Sequence, residues 1–222
     1  MNRYFAVSVV LLTLFVLIAA LVSTKVGFNN ATNSLITKAD SMAFLYINNS
    51  HNRLFNDWMI WSSKYGRDIF WPIVMIVLFV LGGWTGKKTA TVMAISLLVL
   101  IPIGIIAKDL VARPRPEIPK ADFLIASDKD FGFPSGEALI VSAGAAVALA
   151  LYRDTSRKLA ISIILAAESA LVCISRIYVG GHYPLDVVGG ILLGVGVSFI
   201  FVGINKHIES LLMPIVKILK KR

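Results

Sequence analysis

The residues best suited to chemistry lie in three short segments, and the last of these carries the most specific pattern. It spans Ser175–Asp186 and contains Arg176, a Gly-Gly pair and His182. If a helix begins at Pro184, the Asp186 carboxylate lies one turn into that helix and can reach back to the imidazole. A carboxylate that holds one imidazole nitrogen fixes the tautomer and frees the other nitrogen for attack. The spacing therefore predicts His182 as a nucleophile and Asp186 as the residue that orients it.

A second segment combines a lysine with alternating arginine and proline at the end of an apolar stretch. Residues 108–116 read KDLVARPRP. The prolines favour an extended, rigid exit from a helix. We expect Lys108 and Arg115 to converge on one anion. Arg113 is better explained as a basic residue at a helix end, with its side chain extended toward lipid headgroups.

The remaining segment, Phe133–Glu137, predicts the start of a helix. Ser135 is suited to the N-cap position, and Gly136 allows an anion to approach the free N–H groups of the first turn. The ordinary alternative is helix initiation alone, because serine, glycine and an acid in the first turn are common there. Glu137 adds a second acid to the set.

Together the three segments offer a candidate for each role in phosphoryl transfer. That reaction needs cations or N–H groups for the equatorial oxygens, an in-line nucleophile and a proton for the leaving oxygen. Lys108, Arg115 and Arg176 suit the first role, and His182 suits the second. Glu137 is the candidate for the third.

The composition places these residues in a membrane. The chain has 222 residues, of which 57% are hydrophobic and 16% charged, below the roughly 25% charge of soluble domains. Several apolar stretches are long enough to cross a hydrocarbon core of about 30 Å. The net charge of +9 does not indicate nucleic acid, because Lys and Arg lie at the ends of apolar segments. We therefore expect a membrane lipid as the anionic partner.

The hydropathy pattern predicts an all-α membrane protein, a single domain over residues 1–222 with six transmembrane helices and its active site at the membrane face. The predicted spans are residues 4–22, 69–83, 89–111, 136–152, 159–179 and 185–204. An even number of spans puts both termini on one side. Trp58, Trp61 and Trp71 precede or begin the second span and are typical of a membrane interface.

Orientation is not decided by basic residues alone, because the 22 Lys and Arg residues divide equally between the two predicted sides. Several of those on the side of the long loops are candidate phosphate ligands, and most acids also lie there. We therefore predict cytoplasmic termini and an active site on the extracytoplasmic face of the cell membrane. Residues 205–222 form a basic amphipathic tail that suits a helix on an anionic leaflet. We favour the alternative that this tail is a topogenic anchor.

At these residues the sequence closely resembles the type 2 phosphatidic acid phosphatase family, whose motifs are K-x6-R-P, P-S-G-H and S-R-x5-H-x3-D. The first and third motifs are filled by Lys108, Arg115, Pro116, Ser175, Arg176, His182 and Asp186. The resemblance covers most of the chain. It implies a six-helix fold and hydrolysis of lipid phosphates through a phosphohistidine, without a metal or other cofactor.

The resemblance also implies a role for each site residue. The phosphate would be bound by Lys108, Arg115, Ser135, Gly136 and Arg176. His182 would attack phosphorus, and Asp186 would orient it.

Glu137 departs from the family pattern, because it stands where the family has the histidine that protonates the leaving group. Three explanations are open: Glu137 is a working acid, the leaving group needs little protonation, or a natural or introduced change has impaired the site. We favour the first two. A diphosphate has a phosphate leaving group that depends less on an acid. We therefore expect a polyprenyl diphosphate ahead of phosphatidate or phosphatidylglycerophosphate.

Other functions and other acids leave further alternatives open. A phosphotransferase would pass the phosphoryl group to a hydroxyl, and an impaired site would only bind lipid phosphates.

Glu168 lies seven residues before Ser175, so it either braces a basic residue or bonds between helices. Asp128 and Asp130 suggest a metal pair, but two acids in a polar loop are more often solvated. We therefore predict no metal site.

Overall fold

In a computed structural model, the described residues 3–24, 30–117, 123–126 and 129–220 fold into a bundle of helices. The helices are α1 (Arg3–Val22), α2 (Asn30–Asn48), α3 (Arg53–Tyr65), α4 (Trp71–Leu81), α5 (Gly83–Val111), α6 (Gly136–Leu151), α7 (Ser156–Tyr178), α8 (Pro184–Gly203) and α9 (Asn205–Lys220). A π-helical turn, Gly66–Phe70, joins α3 to α4. The all-helical class is therefore confirmed.

Four helices, α1, α5, α7 and α8, are long and apolar enough to cross a membrane by length and composition. The predicted fourth span corresponds to α6, a shorter apolar helix of 16 residues. The predicted second span contains α4, which has 11 residues. The count of six spans stays a prediction.

The segment before α4 is more ordered than the sequence suggested. Residues predicted to form a long connection include α2 and α3. On α3, Trp58 and Trp61 are exposed, which suits a membrane interface. Trp71 is buried instead, and its indole N–H donates to Glu168 Oε2 at 2.9 Å. Because the side chain is buried, its interpretation as an interfacial residue is wrong. Glu168 supplies the hydrogen-bond partner that a buried indole needs.

The helix α5 begins six residues before the predicted span, at Gly83 rather than residue 89. Lys87 and Lys88 do not interrupt it, because their side chains have partners beside the helix. Lys88 Nζ lies 3.3 Å from Glu209 Oε2 of α9, and Lys87 lies over the ring of Phe79. Gly82 alone separates α4 from α5.

Small residues bring α6 and α8 together at the centre of the bundle. A Cβ atom on Gly190 would lie 2.5 Å from the carbonyl oxygen of Ser135, and one on Gly194 would lie 2.3 Å from that of Leu139. Glycine is the residue that permits so close a backbone approach. Beside this contact the Ser135 N–H donates to the Asp186 carbonyl oxygen at 2.9 Å. The packing of α6 on α8 therefore fixes the N-terminal ends of the two helices relative to each other.

Candidate active site

The predicted site residues meet at one end of the bundle. Lys108 lies in the last turn of α5, and Arg115 lies in the extended segment that follows. Ser135 caps α6, and its Oγ accepts the N–H of Ala138 at 3.3 Å. His182 lies between α7 and α8. Residues far apart in the sequence thus share one site.

The orientation of His182 agrees with the predicted helix start at Pro184. Asp186, in the first turn of α8, places Oδ2 3.6 Å from His182 Nδ1, and the same oxygen accepts the N–H of Tyr183 at 2.9 Å. Both His182 and Asp186 are fully buried. A buried carboxylate beside Nδ1 favours a proton on that nitrogen.

The other nitrogen, His182 Nε2, faces the centre of the site. Arg115 Nη1 lies 3.1 Å from Nε2, and Glu137 Oε2 lies 3.4 Å from it. Because a guanidinium group only donates, the shorter contact requires Nε2 to be the acceptor. A tautomer with its proton on Nδ1, facing Asp186, suits this contact and directs the Nε2 lone pair into the site.

Asp130 gathers the two cations of the KDLVARPRP segment. Lys108 Nζ donates to Asp130 Oδ2, and Arg115 Nη2 donates to Oδ1 at 2.5 Å. Partial burial raises the pKa of Asp130, but hydrogen bonds from Lys108 and Arg115 outweigh it and hold the pKa below its usual value. Lys108 and Arg115 therefore converge on one carboxylate, as expected of residues that bind one anion.

Glu137 is surrounded by cations. Its Oε1 accepts from Arg67 Nη1 at 2.9 Å, and its Oε2 lies 3.5 Å from Arg176 Nε. The Ser135 hydroxyl donates to Oε2 at 3.3 Å. Two guanidinium groups stabilise the ionised carboxylate, so the contacts of Glu137 are those of an anion.

Arg176 is held by the turn that carries His182. Its carbonyl oxygen accepts the N–H groups of Gly181 at 2.9 Å and His182 at 3.1 Å. A Cβ atom on Gly181 would lie 2.9 Å from Arg176 Nη2, so glycine makes room for the guanidinium. Arg176 Nη1 donates to Ser63 Oγ of α3 at 2.7 Å. This explains one function of the Gly-Gly pair.

Arg113 does not extend toward lipid headgroups, so that interpretation is wrong. The side chain is buried, with Nη2 2.5 Å from Asp40 Oδ2 and Nη1 2.7 Å from Asp186 Oδ1. Burial raises the pKa of Asp40, and Arg113 opposes that rise. Two acids bound by one guanidinium explain why Arg113 turns inward. Arg113 thereby connects α2 to the carboxylate that orients His182.

Sequence reasoning missed Arg67, Asp40 and the part that Asp130 plays. Arg67 lies in the turn four residues before α4, and an ionisable residue near the start of an apolar helix was the one available signal. Asp40 lies in a polar stretch of α2 and offered none. Glu168 bonds to Trp71, which supports its interpretation as a carboxyl that bonds between helices rather than a brace for a basic residue.

No group of three or more His, Cys, Asp or Glu residues within the described ranges is arranged to hold a metal ion. Asp128 of the suggested metal pair lies outside the described residues. Asp130, the other member, binds Lys108 and Arg115 instead.

A cavity of about 190 Å³ opens beside Lys108 and Asp130. Arg67, Lys108, Asp130 and Gly136 line its polar part. Apolar residues of α5 and α6 line the rest, including Leu100, Ile101, Ile105 and Leu139. The cavity therefore joins the polar cluster to an apolar surface, as an amphipathic ligand requires.

Comparison with known proteins agrees with this arrangement. Residues 87–208 match the family described as the PAP2 superfamily. Undecaprenyl-diphosphatase of Sulfolobus acidocaldarius is 36% identical over 176 residues, covering 76% of this chain and 82% of that protein. Undecaprenyl-diphosphatase BcrC of Bacillus subtilis is 24% identical over 153 residues, covering 68% and 75%.

A solved structure supports the fold independently. The crystal structure of a transmembrane PAP2-type phosphatidylglycerolphosphate phosphatase from Bacillus subtilis has a TM-score of 0.66 and 24% identity, covering 90% of this chain and 96% of that one. The family match extends over more than half of the residues. This chain therefore belongs to the PAP2 superfamily and is a multi-pass membrane phosphatase of that family.

Proposed function

We propose that this protein hydrolyses a polyprenyl diphosphate to the monophosphate through a phosphohistidine on His182. The observation that carries the proposal is the placement of His182, with Asp186 beside Nδ1 and Arg115 beside Nε2. An imidazole oriented in this way can attack phosphorus with Nε2 and remain stabilised by Asp186 as positive charge develops.

Cations around Nε2 support the binding of a phosphoryl group there. Lys108 and Arg115 already share the carboxylate of Asp130, and a phosphoryl group offers oxygens that can replace it. Arg176 approaches the same space from α7. The N-terminal end of α6 adds Ser135 and Gly136, which suit an oxyanion.

The substrate class is supported by chemistry and by kinship. A diphosphate leaves as a phosphate, which needs less protonation than an alkoxide, and Glu137 has contacts suited to an anion rather than a proton donor. Both relatives described above are named for undecaprenyl diphosphate. Phosphatidate and phosphatidylglycerophosphate are the alternative substrates, and with them Glu137 would have to act as an acid.

The proposed reaction takes place on the extracytoplasmic face, with both termini in the cytoplasm. The six crossings that the hydropathy pattern predicts would put both termini on one side. The cavity beside Arg67 and Lys108 gives the diphosphate a polar end and the polyprenyl chain an apolar surface. Residues 205–222 would then lie along the anionic cytoplasmic leaflet.

Phosphate release in EDTA tests the activity. Purified wild type is compared with His182→Ala and Asp186→Asn on undecaprenyl diphosphate, phosphatidate and phosphatidylglycerophosphate. We expect the diphosphate to have the highest kcat/KM and His182→Ala to lower it by about 1,000-fold or more. His207→Ala is the matched control, because the His207 side chain is exposed on α9, and it should retain full activity.

Two outcomes would contradict the mechanism, namely survival of activity in His182→Ala or its complete loss in EDTA. A phosphotransferase would yield a phosphorylated product that appears only when a lipid or sugar acceptor is added. An impaired binder would retain the labelled diphosphate without releasing phosphate.

A further inference from the structure

We infer that Glu137 is the general base of the second half-reaction and that Arg67 is the positioning residue that holds its carboxylate for this task. The inference rests on the proposed phosphohistidine. It concerns the step in which water removes the phosphoryl group from His182.

The first support is the position of Glu137 relative to His182. Oε2 faces the nucleophilic Nε2 at 3.4 Å, so the carboxylate occupies the space that a phosphoryl group on Nε2 would enter. A phosphoryl group there would displace the carboxylate outward, to the side of phosphorus opposite Nε2. A water molecule attacking phosphorus opposite the N–P bond approaches from the same side, within reach of the carboxylate.

The second support is the route that water can take. His182 and Asp186 have no exposed side-chain surface, whereas the side chains of Glu137 and Arg67 are 11% and 32% exposed. Arg67 and Gly136 both line the cavity beside the site. Arg67 and Glu137 are therefore more open to solvent than His182 and Asp186, and Asp130, which is 52% exposed, lines the same cavity.

The third support is the charge of the carboxylate. A general base must be ionised before the reaction, and Arg67 at 2.9 Å and Arg176 at 3.5 Å both stabilise the ionised form. Arg67 binds Oε1 and leaves Oε2 directed at the site. Asp68 holds the opposite edge of the Arg67 guanidinium, with contacts of 2.6 and 2.9 Å, so the guanidinium is fixed in place.

The two half-reactions then balance. His182 Nε2 attacks the terminal phosphorus, the bond to the bridging oxygen breaks, and its electron pair leaves with the lipid monophosphate. In the second step the water oxygen forms a bond to phosphorus while Glu137 takes the water proton. The N–P bond breaks, its electron pair returns to Nε2, and Glu137 passes its proton to the departing phosphate or to solvent.

Burst kinetics distinguish this role from that of a leaving-group acid. Farnesyl diphosphate labelled with ³²P on the terminal phosphate is mixed rapidly with each enzyme, and both farnesyl phosphate and alkali-stable phosphoenzyme are measured. Glu137→Gln should release a burst of about one farnesyl phosphate per enzyme and then turn over about 100-fold more slowly. Labelled phosphoenzyme should accumulate in this variant.

Arg67→Ala should show the same accumulation to a smaller extent, and Arg67→Lys should restore part of the turnover. Formate should accelerate loss of the label from a Glu137→Ala variant by acting as a replacement base. Glu209→Gln and Lys64→Ala are the matched controls, because they remove an acid bound to Trp84 and an exposed cation one turn before Arg67. Both should behave as wild type.

Loss of the burst together with turnover in Glu137→Gln would overturn the inference and support an acid in the first step. Full turnover in that variant, or an Arg67→Ala enzyme with no accumulated label, would also overturn it. Failure of the wild type to cleave the diphosphate would instead contradict the proposed function. The two ideas therefore fail in different measurements.

Discussion

Arg113 and Asp186 form a buried ion pair, with Nη1 and Oδ1 2.7 Å apart, that joins the segment after α5 to the first turn of α8. The other oxygen of Asp186 faces His182. Arg113 also binds Asp40 and lies over the ring of Tyr183. Arg113 therefore fixes the position of the carboxylate that lies beside His182 Nδ1.

Replacing Arg113 with Ala should destabilise the protein by about 3–5 kcal/mol, because two buried carboxylates lose their shared cation. Activity should fall as well, since Asp186 can then turn away from His182. Thermal unfolding in detergent measures the first effect and phosphate release the second. Arg113→Lys should be intermediate, because an ammonium group cannot bridge two acids as a guanidinium does. A variant Arg113→Ala with the wild-type Tm would refute the structural role.

The sequence predicted the placement of Asp186 beside His182 well, because the two residues are close along the chain. His182 and Asp186 are separated by one helical turn, so local geometry alone places them together. Lys108 lies in the last turn of α5, and Arg115 lies between Pro114 and Pro116, whose stiffness limits where Arg115 can point. These short-range relationships need no knowledge of tertiary packing.

The remainder depended on contacts between distant segments. Arg67 reaches Glu137 across 70 positions, and Arg113 reaches Asp40 and Asp186 across 73 positions each. Neither pairing has a local signature, so an inward-turning Arg113 resembled an ordinary basic residue at a helix end. The start of α5 was also predicted wrongly, because the groups that contact Lys87 and Lys88 lie on other helices, Phe79 on α4 and Glu209 on α9.

If Lys108 and Arg115 bind phosphate as proposed, Asp130 competes for them, and Asp130→Asn should bind phosphate analogues more tightly. The Asp130 side chain is half exposed, and solvent screening limits each ion pair to roughly 0.2–1 kcal/mol. We therefore expect the inhibition constant of orthovanadate to fall by roughly 2- to 5-fold. Asp154→Asn removes an exposed acid that is paired with Lys158 and serves as the control. An unchanged or higher constant in Asp130→Asn would show that Asp130 does not compete.

The effect of Asp130→Asn should be constant between about pH 5 and 7, because the pKa of Asp130 lies below its usual value. A lowered carboxyl pKa means that the ion pairs contribute stability above the unfolded-state pKa and lose it as pH falls through the folded-state pKa. Competition between Asp130 and phosphate should therefore weaken only at acidic pH, as the Asp130 carboxylate becomes protonated. Inhibition constants measured across this pH range check the sign, and a difference that disappears near pH 6 would contradict it.

Two glycine substitutions separate packing from phosphate binding. Gly190→Ala should destabilise the protein by about 1–3 kcal/mol or more, because its Cβ would lie 2.5 Å from the Ser135 carbonyl oxygen. Gly136→Ala should leave the Tm nearly unchanged, since the nearest atom to its Cβ is Arg67 Nη1 at 3.7 Å. It should still lower kcat/KM, because the methyl group narrows the approach to the helix N-terminus. Equal Tm values for the two variants would contradict the packing argument.

The prediction of six membrane crossings requires the short helices α4 and α6 to carry the chain between opposite faces, and contacts within the site bear on that requirement. Arg115 lies 3.1 Å from His182, so the C-terminal ends of α5 and α7 lie at one face. The chain must return through α6 before α7 begins at Ser156. Arg67 contacts Glu137 at the same face, so α4 must carry the chain back to the start of α5.

Cysteine labelling tests both the count and the orientation. Each of Lys64→Cys, Arg157→Cys and Arg3→Cys is made with Cys173→Ala, which removes the one native cysteine. In intact cells, a membrane-impermeant maleimide should label the variant at Lys64 and should reach those at Arg3 and Arg157 after lysis alone. The opposite pattern would reverse the orientation, and different accessibility at Arg3 and Arg157 would exclude six crossings.

At 1.5 Å per residue, the 16 residues of α6 extend about 24 Å, so we expect the bilayer to thin locally beside this helix.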